Sequence, residues 1–347
     1  MNSMMGIVTS TQSTGRGRVA LSVYGLGIRI ESDWAEVLDA LRLDFAWFVS
    51  DSPEQAADVV VSIRCKEPDF DRFRDATATF ITPRNVVYQQ PDETVVDYFG
   101  RALSVRDRRT GALEIEGEDL SIVHEAVYQF LISRLGEHFD SLGLPRLHGL
   151  GLAGAQGGVV VMLPSGGGKT TLGLRALRDD DVKLLSEDSP LLDRRGFLHP
   201  FPLRIGINAT DAAVLPPGHV RRIERMELHP KFALEIHAFA DRIEREPRPL
   251  RHIVIGRRSL GREARLEPLP RRAAVPTLFR EAVVGVGIYQ GMEWVLQRGM
   301  RDVVSQAGPF WTRTRNCTRG LARANVWRLT VGRDYDDNWA ELQKLLA

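Results

Sequence analysis

Cysteine is scarce in this 347-residue chain: there are two, Cys65 and Cys317, at opposite ends of the sequence. That count excludes a disulfide scaffold and a clustered thiolate metal centre. It fits a reducing compartment and leaves a single long-range bridge open. No apolar run approaches the roughly 18–20 residues of a membrane span, and the opening MNSMMGIVTSTQSTGRGRVAL lacks a charged-then-apolar signal pattern. It reads as a loose polar lead-in, so a cytoplasmic protein that does not engage membranes is expected. The arginine-rich windows 221–225, 242–251 and 257–265 are interleaved with glutamate and almost empty of aromatics. They read as solvated faces, and nucleic-acid binding is not expected. Lysine is rare too, five of 46 basic residues, so a lysine in a suggestive position carries weight.

What is present is an ordinary globular composition, 43% hydrophobic and 26% charged, long enough for two or three domains. The formal charge of +1 conceals an imbalance. Residues 1–147 carry 15 basic and 23 acidic side chains, whereas 148–347 carry 31 and 22. Either the second part faces something anionic or both faces are simply solvated.

Residues 18–31 alternate like a hairpin strand, and Ser32 or Asp33 can cap a helix that starts at Trp34. Segments 58–65, 77–81, 85–90 and 101–106 read as short strands, giving a small α+β unit with a largely antiparallel sheet. The stretch 119–140 reads as an amphipathic helix with Ile122, Ala126, Phe130, Ile132 and Leu135 on its apolar face, closed by Gly143. Its His124 and His138 read as surface or packing residues. From Leu147 the texture changes to strand, glycine turn and strand, then a glycine-rich loop, a helix at 172–178, a strand at 182–186 and a hairpin around 194–196. This is the rhythm of a sheet with helices on its faces. Residues 210–250 read as a mobile insertion before a strand at 251–256. A long helix over 276–306, a strand at 326–332 and a helix at 337–346 complete the expectation.

Chemistry concentrates at Pro164-Ser165-Gly166-Gly167-Gly168-Lys169-Thr170-Thr171. Gly168, Lys169 and Thr170 match the end of the phosphate-loop template, preceded by an apolar strand and followed by a helix. Three glycines let backbone N–H groups turn inward around phosphate oxygens at a helix N-terminus. Lys169 then reaches the β- and γ-phosphates, Thr170 a bridging Mg2+, and Ser165 to Thr171 form the nucleotide cradle. Leu163 stands where the template has its first glycine. Such loops need a metal-ordering carboxylate, and often a base, at the tip of a neighbouring strand. Glu187 and Asp188 end the next apolar strand, and each is a candidate both for metal binding and for proton abstraction.

His148-Gly149, the glycine hairpin, LPSGGGKTTL and KLLSEDSPLLD together resemble the C-terminal domain of HPr kinase/phosphorylase and its relatives, among them lasso-peptide-tailoring kinases. The resemblance covers 147–208 well and the rest in general layout. It implies an α/β chain: a P-loop core related to phosphoenolpyruvate carboxykinase over 146–347, a smaller α+β N-terminal domain over 18–116, and a connecting helix over 117–145. It implies ATP and Mg2+ as cofactors, His148 as the partner of Glu187 or Asp188, and a homo-oligomer. Arg204 and Lys231 fall in segments where the family places cations near the γ-phosphate. The acid pair is Glu-Asp where the family has Asp-Asp. The glycine-rich EIRGLGI-like signature of authentic HPr kinases is missing (LEIHAF at 234–239 is no substitute), which points away from HPr itself as the acceptor.

The leading expectation is an ATP- and Mg2+-dependent kinase acting on a hydroxyl, foremost a serine or threonine of a peptide or small protein. The alternatives are a small-metabolite (sugar-type) kinase and a P-loop ATPase serving as a regulatory module.

Overall fold

The computed structural model describes residues 16–51, 57–164, 166–212, 215, 218–225, 228–284 and 307–347. A tight Tyr24–Gly25 turn with positive φ joins β1 (Gly17–Val23) to β2 (Leu26–Ser32) in antiparallel register. Helix α1 (Ala35–Asp44) then carries the chain to β3 (Val59–Cys65), which pairs with β2 in parallel. Strands β4 (Phe80–Ile81), β5 (Val86–Gln89), β6 (Glu93–Asp97), β7 (Ala102–Asp107) and β8 (Leu113–Gly117) complete an eight-stranded sheet in the order β1-β2-β3-β8-β7-β6-β5-β4.

Five of its seven pairings are antiparallel, in line with the expectation of a largely antiparallel sheet. The two parallel pairings are β2–β3, whose connection runs through α1, and β3–β8, where the last strand of the β4–β8 meander comes to lie beside β3. Strands β6 and β8 lay in stretches where no strand was expected.

Helix α2 (Leu120–Leu142) is capped at its start by the Asp119 carboxylate, which accepts from the N–H groups of Ser121 and Ile122, and at its end by left-handed Gly143. All five apolar positions expected to face the core are buried. They lie with Leu38 and Leu41 of α1 against Leu21, Ile30, Val61 and Ile115 of the sheet.

The second sheet is built around three parallel strands, β10 (Gly157–Met162), β17 (Arg248–Arg258) and β19 (Asn325–Val331). Beyond β10 come antiparallel β9 (Leu150–Gly154) and β11 (Lys183–Ser186), and β18 (Arg265–Leu269) closes the other edge. The short pair β12 (Leu191–Leu192) and β13 (Phe197–His199) attaches to the start of β17.

Every residue of β10 is buried, as a strand covered on both faces must be. Val159, Val161 and Leu163 face α3 (Lys169–Ala176) and α7 (Tyr335–Gln343), while Val160 and Met162 face α5 (Val275–Leu278) and α6 (Ala307–Arg323). The molecule is thus mixed α/β, with helices on both faces of its second sheet.

The region read as a mobile insertion forms regular elements over much of its described length. Strands β14 (Ile205–Ile207), β15 (Val220–Arg225) and β16 (Leu228–Leu234) form a three-stranded sheet, in which Ile207, Ile223 and Leu234 are buried. The short helix α4 (Ala209–Ala212) follows β14. Most of the helix expected over 276–306 lies outside the described residues. What is described of it begins as α5 and continues as a π-helical turn, Phe279–Val284. Helix α6 had no counterpart in the expectation. No described helix is long and apolar enough to cross a membrane. Cys65 is exposed and Cys317 buried, and both are free thiols.

Candidate active site

The chain leaves β10 and β11, and enters β9, at one end of the second sheet. Because β9 is antiparallel to both neighbours, its entry brings His148 beside the exits that carry the phosphate loop and the acid pair. Contrary to expectation, the acid-bearing strand is therefore not the immediate neighbour of the loop strand; β9 lies between them. Backbone bonds lock the arrangement: the Gly149 N–H donates to the Asp188 carbonyl (3.2 Å) and the His148 N–H to that of Glu281 (3.0 Å).

Gly166 and Gly168 have φ of 72° and 108°, a region open to glycine and strained for other residues. A Cβ on Gly167 would sit 2.8 Å from the Pro164 carbonyl oxygen. Gly168 is the N-cap of α3, so Lys169 and Thr170 occupy its first turn. Thr171 follows in that turn, half-buried, and Ser165 lies outside the described residues. Leu163, at the template's first-glycine position, packs its side chain onto the bare backbone of Gly256 on β17.

Lys169 is buried, and its ammonium donates to the Leu163 carbonyl (2.9 Å), faces His148 Nε2 (3.1 Å) and lies 3.9 Å from Asp188 Oδ1. His148 Nδ1 lies 2.6 Å from Glu281 Oε2 and its Nε2 3.3 Å from Asp188 Oδ1. With Nδ1–H donating to Glu281, the neutral ring accepts from Lys169 and the protonated ring donates to Asp188. Burial alone would lower the His148 pKa. The hydrogen bond and charge of Asp188, with the bond to Glu281, outweigh that and raise it, against the opposing charge of Lys169.

The Thr170 hydroxyl donates to Glu187 Oε1 at 2.6 Å. Desolvation, reinforced by the neighbouring Asp188 charge, pushes the Glu187 carboxyl up to about 7, although Thr170, Lys169 and Lys231 draw it down. So the exposed Lys231 of β16 lies close enough for its charge to reach Glu187. A hydroxyl and two crowded carboxylates are hard oxygen donors, the set that suits magnesium, and a divalent cation between them would relieve the repulsion within the pair.

Arg204 is a correction. Instead of facing the phosphate loop, its guanidinium is bound to Asp44 at the end of α1 and lies over the Tyr128 ring of α2, 3.8 Å from the centroid. The reason is burial: Asp44 is fully buried, Arg204 and Arg221 neutralise it, and His124 adds a hydrogen bond. His124, its Nε2 2.7 Å from Asp44 Oδ2, is thereby a hydrogen-bond partner of that carboxylate and no mere packing residue. This cluster is not remote from the site. Burial raises the Tyr128 phenol, and the charges of both Asp44 and Asp188 push it the same way.

Two further residues of the site were not anticipated. Glu281 comes from the π-helical turn and is buried, with Arg280 on its second oxygen (2.6 Å). An acid in the apolar run TLFREAVV was the signal that could have found it. Arg258, at the end of β17, donates to the Gly166 carbonyl (3.0 Å); among so many arginines nothing in the sequence distinguishes it. No protein-family model matches this chain, and no curated protein matches it.

Proposed function

We propose that the protein is an ATP- and Mg2+-dependent kinase of the HPr-kinase-like kind, transferring the γ-phosphoryl group to a serine or threonine hydroxyl of a peptide or small protein. The observation that carries the reading is the convergence of Lys169, the Thr170–Glu187 pair and the Asp188–His148–Glu281 chain at one sheet end.

In this reading Gly166–Thr171 cradle the phosphates, and Lys169 offsets charge on the β- and γ-oxygens. Thr170 and Glu187 would hold magnesium, which when bound supplies further charge neutralisation on the phosphates. Asp188 accepts the acceptor hydroxyl's proton as that oxygen bonds to phosphorus and the bond to the ADP oxygen breaks. His148, oriented by Glu281, steadies the Asp188 carboxylate, and Lys231 stands near enough for its charge to act on Glu187. Asp188 is 44% exposed, open to a bulky acceptor, which favours a peptide over a small metabolite enclosed in a pocket.

The test is magnesium-dependent transfer from γ-labelled ATP to peptides encoded beside this protein's own gene. Label on a serine or threonine, with little hydrolysis in the acceptor's absence, supports the reading. Steady hydrolysis with no acceptor labelled overturns it in favour of an ATPase.

A further inference from the structure

Away from the phosphate site, one group of three side chains among the described residues has metal-ligand chemistry: His219, Glu235 and His237. The pairing of Val220 with Leu234 sets His219, just before β15, opposite Glu235, just after β16. The Glu235 N–H donates to the His219 carbonyl at 2.9 Å, which fixes the two backbones together. His237 follows in the short 3-10 segment Ile236–Arg242, two residues on, so its ring returns to the same side. Its Nε2 lies 3.7 Å from Glu235 Oε2, and the two imidazole rings meet edge to face with centroids 6.4 Å apart. One ligand atom from each of the three lies within 4.8 Å of the others.

A second observation points to a ligand. The Nδ1 atom of His219 is buried and has no hydrogen-bond partner among the described residues. Buried polar atoms are ordinarily paired, so this ring lacks a partner that a bound cation would supply. Two imidazoles and one carboxylate, with no thiolate, match a divalent transition metal over magnesium or calcium. Three protein ligands leave a fourth position open, and His237, 47% exposed, places that position at the solvent. Bound atoms about 2.0–2.1 Å from a tetrahedral ion lie roughly 3.3 Å apart, so the side chains would close inward on binding.

We propose that His219, Glu235 and His237 form a binding site for a divalent transition-metal ion of zinc's class. The ion would tie the β15–β16 hairpin to the segment that follows it. Lys231 is carried on that hairpin, but the site stands apart from the kinase reading and does not depend on it.

The experiment is calorimetric titration of the full, chelator-treated chain with Zn2+, with Co2+ as a spectroscopic stand-in. One equivalent of Zn2+ should bind, with a visible cobalt absorption of low coordination number. The ion should also raise the unfolding temperature. His237→Ala, at an exposed position, should fold like the parent yet lose the binding, the cobalt signal and the thermal shift. Glu187→Gln, altered at the phosphate site, should keep all three. No stoichiometric binding by the parent overturns the proposal. So does binding that survives His237→Ala, or binding that disappears in Glu187→Gln.

Discussion

Lys169 sits under its own loop, held by the Leu163 carbonyl and by His148. A neutral side chain there removes a charge aimed at the transferring phosphoryl group. Lys169→Ala should lower turnover by about 10²–10³-fold, comparable to losing one preorganised transition-state donor. A labelled-ATP rate measurement checks this, and turnover at the parent rate would remove the phosphate-loop assignment. Asp188→Asn should cut transfer by about 10²–10⁴-fold while nucleotide affinity stays within a few-fold, the mark of a lost base; fluorescence titration with a labelled nucleotide separates the two.

Glu187 sets a pH dependence of definite sign. Its folded pKa stands near 7, above the ordinary 4.5, so its stabilising share is full below about 4.5 and is lost as pH rises through 7. The metal-free protein should therefore melt lower at pH 8 than at pH 6, and Glu187→Gln should flatten that difference. Magnesium should raise the melting temperature more at pH 8, where the Glu187 carboxyl is ionised. An equal gain at both values would speak against a cation held by Glu187.

At the scale of the elements, the departure from the phosphate-loop template has a packing cause. A Cβ on Gly256 would lie 2.1 Å from Leu163 Cδ2, so the leucine fills space that β17 leaves bare. Restoring the template with Leu163→Gly should cost about 2–5 kcal/mol in chemical denaturation through the cavity it opens. It should not tighten nucleotide binding, because Leu163 is 2% exposed and ends the strand instead of facing a ligand. Gly256→Ala should destabilise as well, from the opposite direction, by overpacking.

Across the whole molecule, Asp44 couples the first sheet's helix layer to the chain beyond β13. Its buried carboxylate is held by His124 from α2, by Arg204 just before β14 and by Arg221 from β15. Burial alone would push its pKa up. The charges of Arg204, His124 and Arg221 win and bring it down to about 2. Its contribution is full above about 4, the ordinary carboxylate range, and is lost as pH falls from there through 2. Asp44→Ala leaves Arg204 and Arg221 without their carboxylate and should destabilise by about 3–5 kcal/mol. Equilibrium urea unfolding with probes in both sheets would show whether both transitions move, as this junction requires.

The hairpin over 18–31, the α2 helix with its cap and apolar face, and the glycine loop with Lys169 were legible in the chain, because each depends on neighbours within one or two turns or strand lengths. Periodicity, capping and a glycine's left-handed freedom are local physics. The other features required the fold. His148 and Glu281 are 133 positions apart, and Arg204 and Asp44 160 apart. No local pattern ties such pairs, and only the sheet order that sets β9 between β10 and β11 brings the first of them to the phosphate loop. Burial decided the second: a carboxylate removed from water must collect cations from wherever the chain passes. That need drew Arg204 away from the place its sequence neighbourhood implied.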